Sequence, residues 1–405
     1  MSSLLGVRFS GPLEVYAHGF AHELARQGYL VSGAKGQLFL VAHLSRWLAE
    51  RGLEPAVLNV PEVAEEFFAE RRVAGYANYR TVKALMPLLV YLRALGVVAP
   101  PPVAPLTSAQ ALLERYRAYL TGERGLAATT ARGYIDAVRG FVVVRERADG
   151  KLDLEQLTAA EVTAFVVEAC SDQTRGSAKM LVTALRSLLG FLHVDGLLPE
   201  SLVTAVPSAA SWRLAGLPKG LEPAETARLL ASCDRRTRTG RRDFAVLMLL
   251  TRLGMRAGEV AALELDDIAW RAGELLVRGK GPHHERLPLP DDAGKALVGY
   301  LQRGRPSTAA GRRVFVSVRA PHRPMTTGSV SALVYSAGMR AGIETAVRPH
   351  RLRHTAATGL LAAGAPLVEI GQLLRHRSQL TTAIYAKVDT EALRTLARPW
   401  PAGVA

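Results

Sequence analysis

Two proline-rich stretches set the plan of this chain: VVAPPPVAP at Val97–Pro105 and PSAASWRLAGLPKGLEP at Pro207–Pro223. Proline lacks the N–H that helices and sheets need and fixes φ, so such clusters read as linkers rather than element interiors. They leave blocks at 1–100, 106–205 and 221–405, joined by linkers at 101–105 and 206–220. Each block has the size of a domain. With 49% hydrophobic residues, each has the means to bury a core. The net charge of +15 favours a polyanionic partner. Arg supplies most of the positive charge, and its planar fork suits phosphate oxygens, although a genome-wide Arg bias would also raise the count. Cys170 and Cys233 are the only cysteines, which leaves no disulfide framework and no CxxC site. The N-terminal stretch lacks an apolar signal core and no apolar run is long enough to span a bilayer, so the expected location is the cytoplasm.

The first two blocks read as copies of one another. With Gly28 set on Gly125, GYLVSGAKGQL matches GLAATTARGYI without a gap, bringing Ser32 to Thr129, Ala34 to Ala131 and Lys35 to Arg132. Further on, KALMPLLVYLRALGVV from Lys83 falls on TALRSLLGFLHVDGLL from Thr183. The shared apolar positions recur at helical spacing, which predicts a bundle of amphipathic helices in each block. Ser32 and Thr129 precede the basic residues by three, a spacing that would set a helix N-cap beside a cation and so hold a backbone phosphate. Chance similarity between Leu-rich helical hairpins is the alternative.

The third block differs in kind. Helical stretches lead into ELLVRGKGPHHERLPLP, where two short runs flank a Gly-, Pro- and His-rich turn, a hairpin signal. RRVFVS at Arg312–Ser317 is expected to add a third strand. The fold class predicted for the whole chain is therefore mainly α: helical N-terminal bundles followed by an α+β domain with a small antiparallel sheet.

Four segments of that block carry chemistry: LTRLGMRAGEVAALELDDIAW with Arg256, VRGKGPHHERLPL with Lys280, PHRLRHTAATGLLAAG with His350 and Arg353, and LLRHRSQLTTAIYAKV with His376 and Tyr385. Taken singly, each has an ordinary reading. Arg256 would pair with Glu259 on a helix surface, Lys280 would be a solvated turn residue, and Tyr385 a half-buried core aromatic. His350 and His354 stand four apart, but Arg353 between them argues against a zinc pair. Gly281 follows Lys280 where a P-loop requires Ser or Thr. Taken together and in this order, the four segments resemble the tyrosine recombinase, or phage integrase, family.

That resemblance implies a metal-free phosphoryl transfer with no cofactor. Arg256 and Arg353 would neutralise the non-bridging phosphate oxygens. Lys280 would protonate the leaving 5′ oxygen, His350 and His376 would assist at the phosphate, and Glu259 would support Arg256. Tyr385 would attack to give a 3′-phosphotyrosyl bond, conserving the energy needed for rejoining. It further implies a clamp on double-stranded DNA formed by a core-binding domain at 106–205 and a catalytic domain at 221–405. A homo-tetramer would form on two DNA sites from free monomers or dimers, with the tail after Tyr385 docking on a neighbour, and the protein would sit on the nucleoid. The alternatives are a type IB topoisomerase-like enzyme and a catalytically silent DNA-binding regulator. Residues 1–100 are expected to form an additional DNA-binding module. Lys35, Arg132, Arg351, Arg375 and Arg377 are the expected DNA contacts. One departure stands out: the family commonly has Gly before the second active-site His, and here Arg375 takes that place.

Overall fold

The computed structural model describes residues 3, 4, 6–100, 105–208, 220–279, 284–375, 382, 384 and 385. The fold is mainly α with a small antiparallel sheet. Met1–Pro101 and Gly216–Ala405 form one compact unit, and Pro102–Ala215 forms another.

After a short hairpin (β1, Ser3–Leu4; β2, Val7–Arg8), the first block holds α1 (Ala17–Arg26), α2 (Val31–Glu50), α3 (Pro61–Val73) and α4 (Met86–Ala94). Its core is built from side chains such as Phe20, Leu38, Leu44, Phe67 and Leu92, all fully buried. At roughly 1.5–3 kcal/mol for each such side chain, burial rather than helix propensity holds these helices in place. The second block repeats the plan with α5 (Ser108–Gly122), α6 (Ala128–Val143), α7 (Ala159–Cys170) and α8 (Arg175–Val194) around Leu120, Phe141, Leu185 and Leu192.

The aligned positions coincide in detail. α2 starts three residues after Gly28 and α6 three after Gly125, and both glycines have positive φ. Ala34 and Ala131 are buried while Lys35 and Arg132 are exposed. α4 and α8 both end in a Schellman turn: Gly96 and Gly196 have φ near 72° and 76°, and the N–H groups of Val97 and Leu197 donate to the carbonyls of Leu92 and Leu192. Pro87, at the second position of α4, limits that helix upstream, whereas α8 carries Ser187 there and runs longer. The expected Ser/Thr caps are not found. Leu30 and Ala127 are the N-cap residues, both extended and without a side-chain cap bond, so each chain enters its helix two residues before Ser32 or Thr129.

The third block contains α9 (Pro223–Ala231), α10 (Arg238–Arg252), α11 (Ala257–Ala262), β3 (Ile268–Ala269), β4 (Glu274–Arg278), β5 (His284–Pro288), α12 (Asp291–Arg303), α13 (Thr327–Arg340), α14 (Pro349–Ala362) and α15 (Leu367–Leu373). Thr237 caps α10, whose run Ala245–Leu250 is buried on every side, making it the central helix. The sheet is antiparallel in the order β3-β4-β5, and the predicted hairpin forms with Arg278 opposite His284 as its last pair. The third strand is not the expected one. Ile268–Ala269 pairs with β4 instead, because the backbone of Arg312–Ser317 bonds elsewhere: Val314 donates to Leu263, and Phe315 accepts from Met325.

The first block also touches the third. The turn at Gly28 lies so close to Thr308 and His322 that a Cβ there would stand 2.3 Å from the threonine Oγ1 and 2.7 Å from the histidine Nε2. With φ of 82° as well, the position is restricted to glycine on two independent grounds. Among the described residues, no helix is long and apolar enough to cross a membrane.

Candidate active site

The corner between α10 and α11 positions the first arginine. Gly254 has φ of 56°, and a Cβ there would meet Leu374 Cδ2 at 2.5 Å, so only glycine lets the corner turn against that leucine. Arg256 follows as the N-cap residue of α11, with its side chain 47% exposed. Glu259, one turn on, is buried. Its Oε1 accepts from Arg256 Nη1 at 2.6 Å and its Oε2 from the Arg256 backbone N–H at 2.8 Å. Burial pushes the Glu259 carboxyl upward, but the charge of Arg375 and the bonds from Arg256 and Arg375 outweigh this and hold it below its ordinary value. The three-residue spacing thus pairs Glu259 with Arg256.

α14 begins at Pro349, where the missing N–H costs nothing. His350, Arg353 and His354 share one face of it by their three- and four-residue spacing. Arg353 is 3% exposed. Its guanidinium donates to Gly254 O at 2.6 Å and to Leu374 O. Burial, followed by the like charges of Arg256 and Arg375, lowers its pKa to about 10, so it remains a cation at neutral pH. His350 keeps an exposed edge. Crowding of the rest of its ring, with Arg353 and Arg256 nearby, pulls its pKa down.

Tyr385 is 2% exposed and packs with Ala357, Ile370 and Leu374. Its hydroxyl lies 2.8 Å from Nδ1 of His354. In the sequence alone, His354 suggests only a zinc pair with His350 and gives no direct sign of this contact. The signal available was its place directly after Arg353, on the helix face that carries His350. The His350 and His354 rings meet edge to face, 4.4 Å between centroids. Burial, then His350 and Arg353, lowers the pKa of His354 to about 4, so the ring is neutral at physiological pH. Burial raises the pKa of Tyr385, and Arg353 opposes that.

Two of the expected DNA contacts turn inward. Arg351 donates to Thr345 and to Gly220 O, and lies 3.6 Å from Glu225 with its side chain only 19% exposed, because the first turn of α14 faces the start of α9. Arg375 is 8% exposed, and its Nη2 donates to Glu259 Oε2 at 2.7 Å. Both arginines serve internal bonds. Lys35 and Arg132 are exposed. Lys280, His376 and Arg377 lie outside the described residues.

A buried tyrosine whose hydroxyl bonds the helix carrying Arg353 and His350 is an arrangement able to attack a phosphate ester. Sequence comparison gives this class its family. The Phage integrase family profile matches residues 219–392, and the Phage integrase, N-terminal SAM-like domain profile matches residues 113–196. The integrase/recombinase-type protein y4rA of Sinorhizobium fredii is 39% identical over 96% of this chain and 95% of its own length. Tyrosine recombinase XerD of Listeria monocytogenes is 31% identical over 70% of this chain and 96% of its own. Among solved structures, XerH bound to palindromic difH in a post-cleavage complex superposes with a TM-score of 0.56 at 18% identity, covering 72% of this chain and 85% of that one. A lambda integrase dimer bound to a COC′ core site gives 0.53 at 19% identity, covering 84% and 88%. The chain belongs to the phage integrase family of tyrosine-type site-specific DNA recombinases.

Proposed function

We propose that the protein cuts and rejoins duplex DNA by attack of Tyr385 on a phosphodiester, forming a 3′-phosphotyrosyl intermediate. The observation that carries this reading is the Tyr385 hydroxyl hydrogen-bonded to α14, the helix that supplies Arg353 and His350. Arg256 and Arg353 neutralise charge developing on the phosphate oxygens. Lys280 protonates the leaving 5′ oxygen, and His350 and His376 donate to the phosphate. Glu259 orients Arg256. The bond broken in DNA is replaced by one of similar energy, so rejoining needs neither ATP nor metal. XerH on difH and lambda integrase on a core site are DNA complexes of this fold. They support a duplex partner, and a lambda integrase tetramer bound to a Holliday junction supports assembly of four copies on two sites; the proposed place of action is nucleoid DNA in the cytoplasm. The test is a nicked suicide substrate carrying the cognate site: a covalent protein–DNA adduct forming in chelator supports the reading, and strict dependence on a divalent metal would sink it.

The domains follow the same proposal: 106–205 binds the core site, 221–405 is catalytic, and 1–100 is a duplicated helical module that also touches DNA. Lys35 and Arg132, exposed at equivalent places on α2 and α6, contact phosphates. Substituting either by Ala is expected to weaken binding uniformly across sequences and to reduce the salt slope of log Kd by about 1. Titrations at several salt concentrations measure it. An unchanged slope in Lys35→Ala would remove the first module from the interface.

His354 holds the nucleophile through its neutral ring rather than acting as a strong base, since a pKa of about 4 leaves little driving force for taking a proton. His354→Ala is expected to slow adduct formation roughly 10-fold, below the ~10²-fold or more characteristic of a lost acid or base. Wild-type cleavage should show no His354 titration above pH 5, and stability should fall as pH drops from about 6.5 toward 4. The sign follows because the unfolded chain, with the ordinary histidine pKa, binds the proton first. Single-turnover rates and melting curves across pH measure both.

A further inference from the structure

Among the described residues, Tyr79 and Arg375 are the non-glycine positions with positive φ, each at 54°. A side chain in that region costs on the order of 1 kcal/mol or more, and burying a guanidinium costs several more unless it is paired. Arg375 bears both costs. What it gains lies around it. Its Nη2 reaches Glu259 Oε2 at 2.7 Å and its Nη1 reaches Leu373 O at 2.8 Å. Its own carbonyl accepts from Arg256 Nη2 at 3.2 Å, and the carbonyl one residue earlier, on Leu374, accepts from Arg353. The turn 373–375 therefore holds one donor from each of the two arginines assigned to the phosphate, and Arg375 ties that turn to the carboxylate beneath Arg256.

We propose that Arg375 is a positioning residue for strand cleavage, locking the turn before His376 onto Glu259 so that its carbonyls fix Arg256 and Arg353 for the phosphate. This rests on the recombinase chemistry proposed above. Glu259 divides its oxygens between the two guanidiniums, Oε1 to Arg256 and Oε2 to Arg375. Without Arg375 the buried carboxylate keeps Arg256 and the more distant Arg353 as facing charges, and the turn loses its tie to α11. Both arginines would then be free to shift by tenths of an ångström, a displacement that matters for in-line attack.

The experiment uses the full chain on the nicked suicide substrate, with adduct formation followed in single turnover at saturating DNA and affinity measured separately. Glycine suits a φ of 54°, so Arg375→Gly removes the guanidinium without adding backbone strain. It is expected to cleave roughly 10- to 100-fold more slowly with affinity within about twofold. The defect should deepen from pH 7.5 to 5.5, because Glu259 loses its main counter-charge and takes up a proton more readily. Arg375→Lys should recover part of the rate through the ion pair. Wild-type cleavage by Arg375→Gly, or a fall in affinity that accounts for the whole loss, would overturn the proposal. If Arg375→Gly is too unstable to assay, Glu259→Gln and the double variant Glu259→Gln/Arg375→Gln decide. Equal rates support action through Glu259, and a further loss in the double variant overturns it. A wild-type protein that forms no Tyr385-dependent adduct would instead refute the underlying chemistry.

Discussion

Tyr385→Phe is expected to reduce covalent adduct on a nicked suicide substrate to background, a loss on the order of 10⁵-fold or more, as for other deleted nucleophiles. Phenylalanine keeps the ring that packs on Ala357, Ile370 and Leu374, so the loss will be chemical rather than structural. The hydroxyl also leaves His354 Nδ1, 2.8 Å away, without that bond. The ring is neutral and half-buried, and a lost neutral hydrogen bond of this kind costs about 1 kcal/mol, or roughly 2–4 °C in melting temperature for a domain of this size. Affinity for the intact site should change little, since Arg256 and Arg353, assigned to the phosphate, keep their bonds when only the Tyr385 hydroxyl is removed. Denaturing gels, melting curves and a binding isotherm separate the three effects. An adduct that survives the substitution would assign the nucleophile elsewhere.

The site was legible where chemistry fixes residue type and spacing together. Arg256 and Glu259 stand three apart because one helical turn brings a carboxylate under a guanidinium, and His350 and Arg353 stand three apart because both must face one way from α14. The shared register of the first two blocks was legible for a similar reason: Leu85, Leu88 and Leu92 have counterparts in Leu185, Leu188 and Leu192, all fully buried, since helix periodicity prescribes them. What escaped depends on partners distant in sequence. Arg351 and Arg375 look like phosphate ligands by composition, yet Glu225 and Glu259 claim them, and an arginine's sequence neighbours do not reveal whether a carboxylate faces it. Arg312–Ser317 has the pattern of a strand, but a pattern does not say which neighbour will pair with it, and Leu263 and Met325 supply its bonds in place of the sheet. Gly28 stands out in the sequence only as the match to Gly125; the collision awaiting any larger residue comes from Thr308 and His322, nearly three hundred residues away in the chain.

Arg353 should separate charge from geometry. Arg353→Lys preserves a cation, but a single ammonium cannot reproduce a planar fork that bonds Gly254 O and Leu374 O together. Loss of roughly 10³-fold in cleavage is expected, comparable to removing an arginine that stabilises a phosphoryl-transfer transition state, with DNA affinity within a few-fold. The pH profile adds a second readout. Burial and the charges of Arg256 and Arg375 already lower the native guanidinium to about 10, which leaves it protonated throughout the working range. A lysine ammonium in the same place starts from a lower ordinary value and meets the same desolvation and like charges, so its residual activity should decline between pH 7 and 9 while the wild type does not. Arg353→Ala should be worse in a different way, exposing two buried carbonyls without donors at about 1–3 kcal/mol each and lowering the melting temperature along with the rate. Single-turnover cleavage by the lysine variant at the wild-type rate, with a flat profile to pH 9, would show that a positive charge alone suffices and that the fork is dispensable.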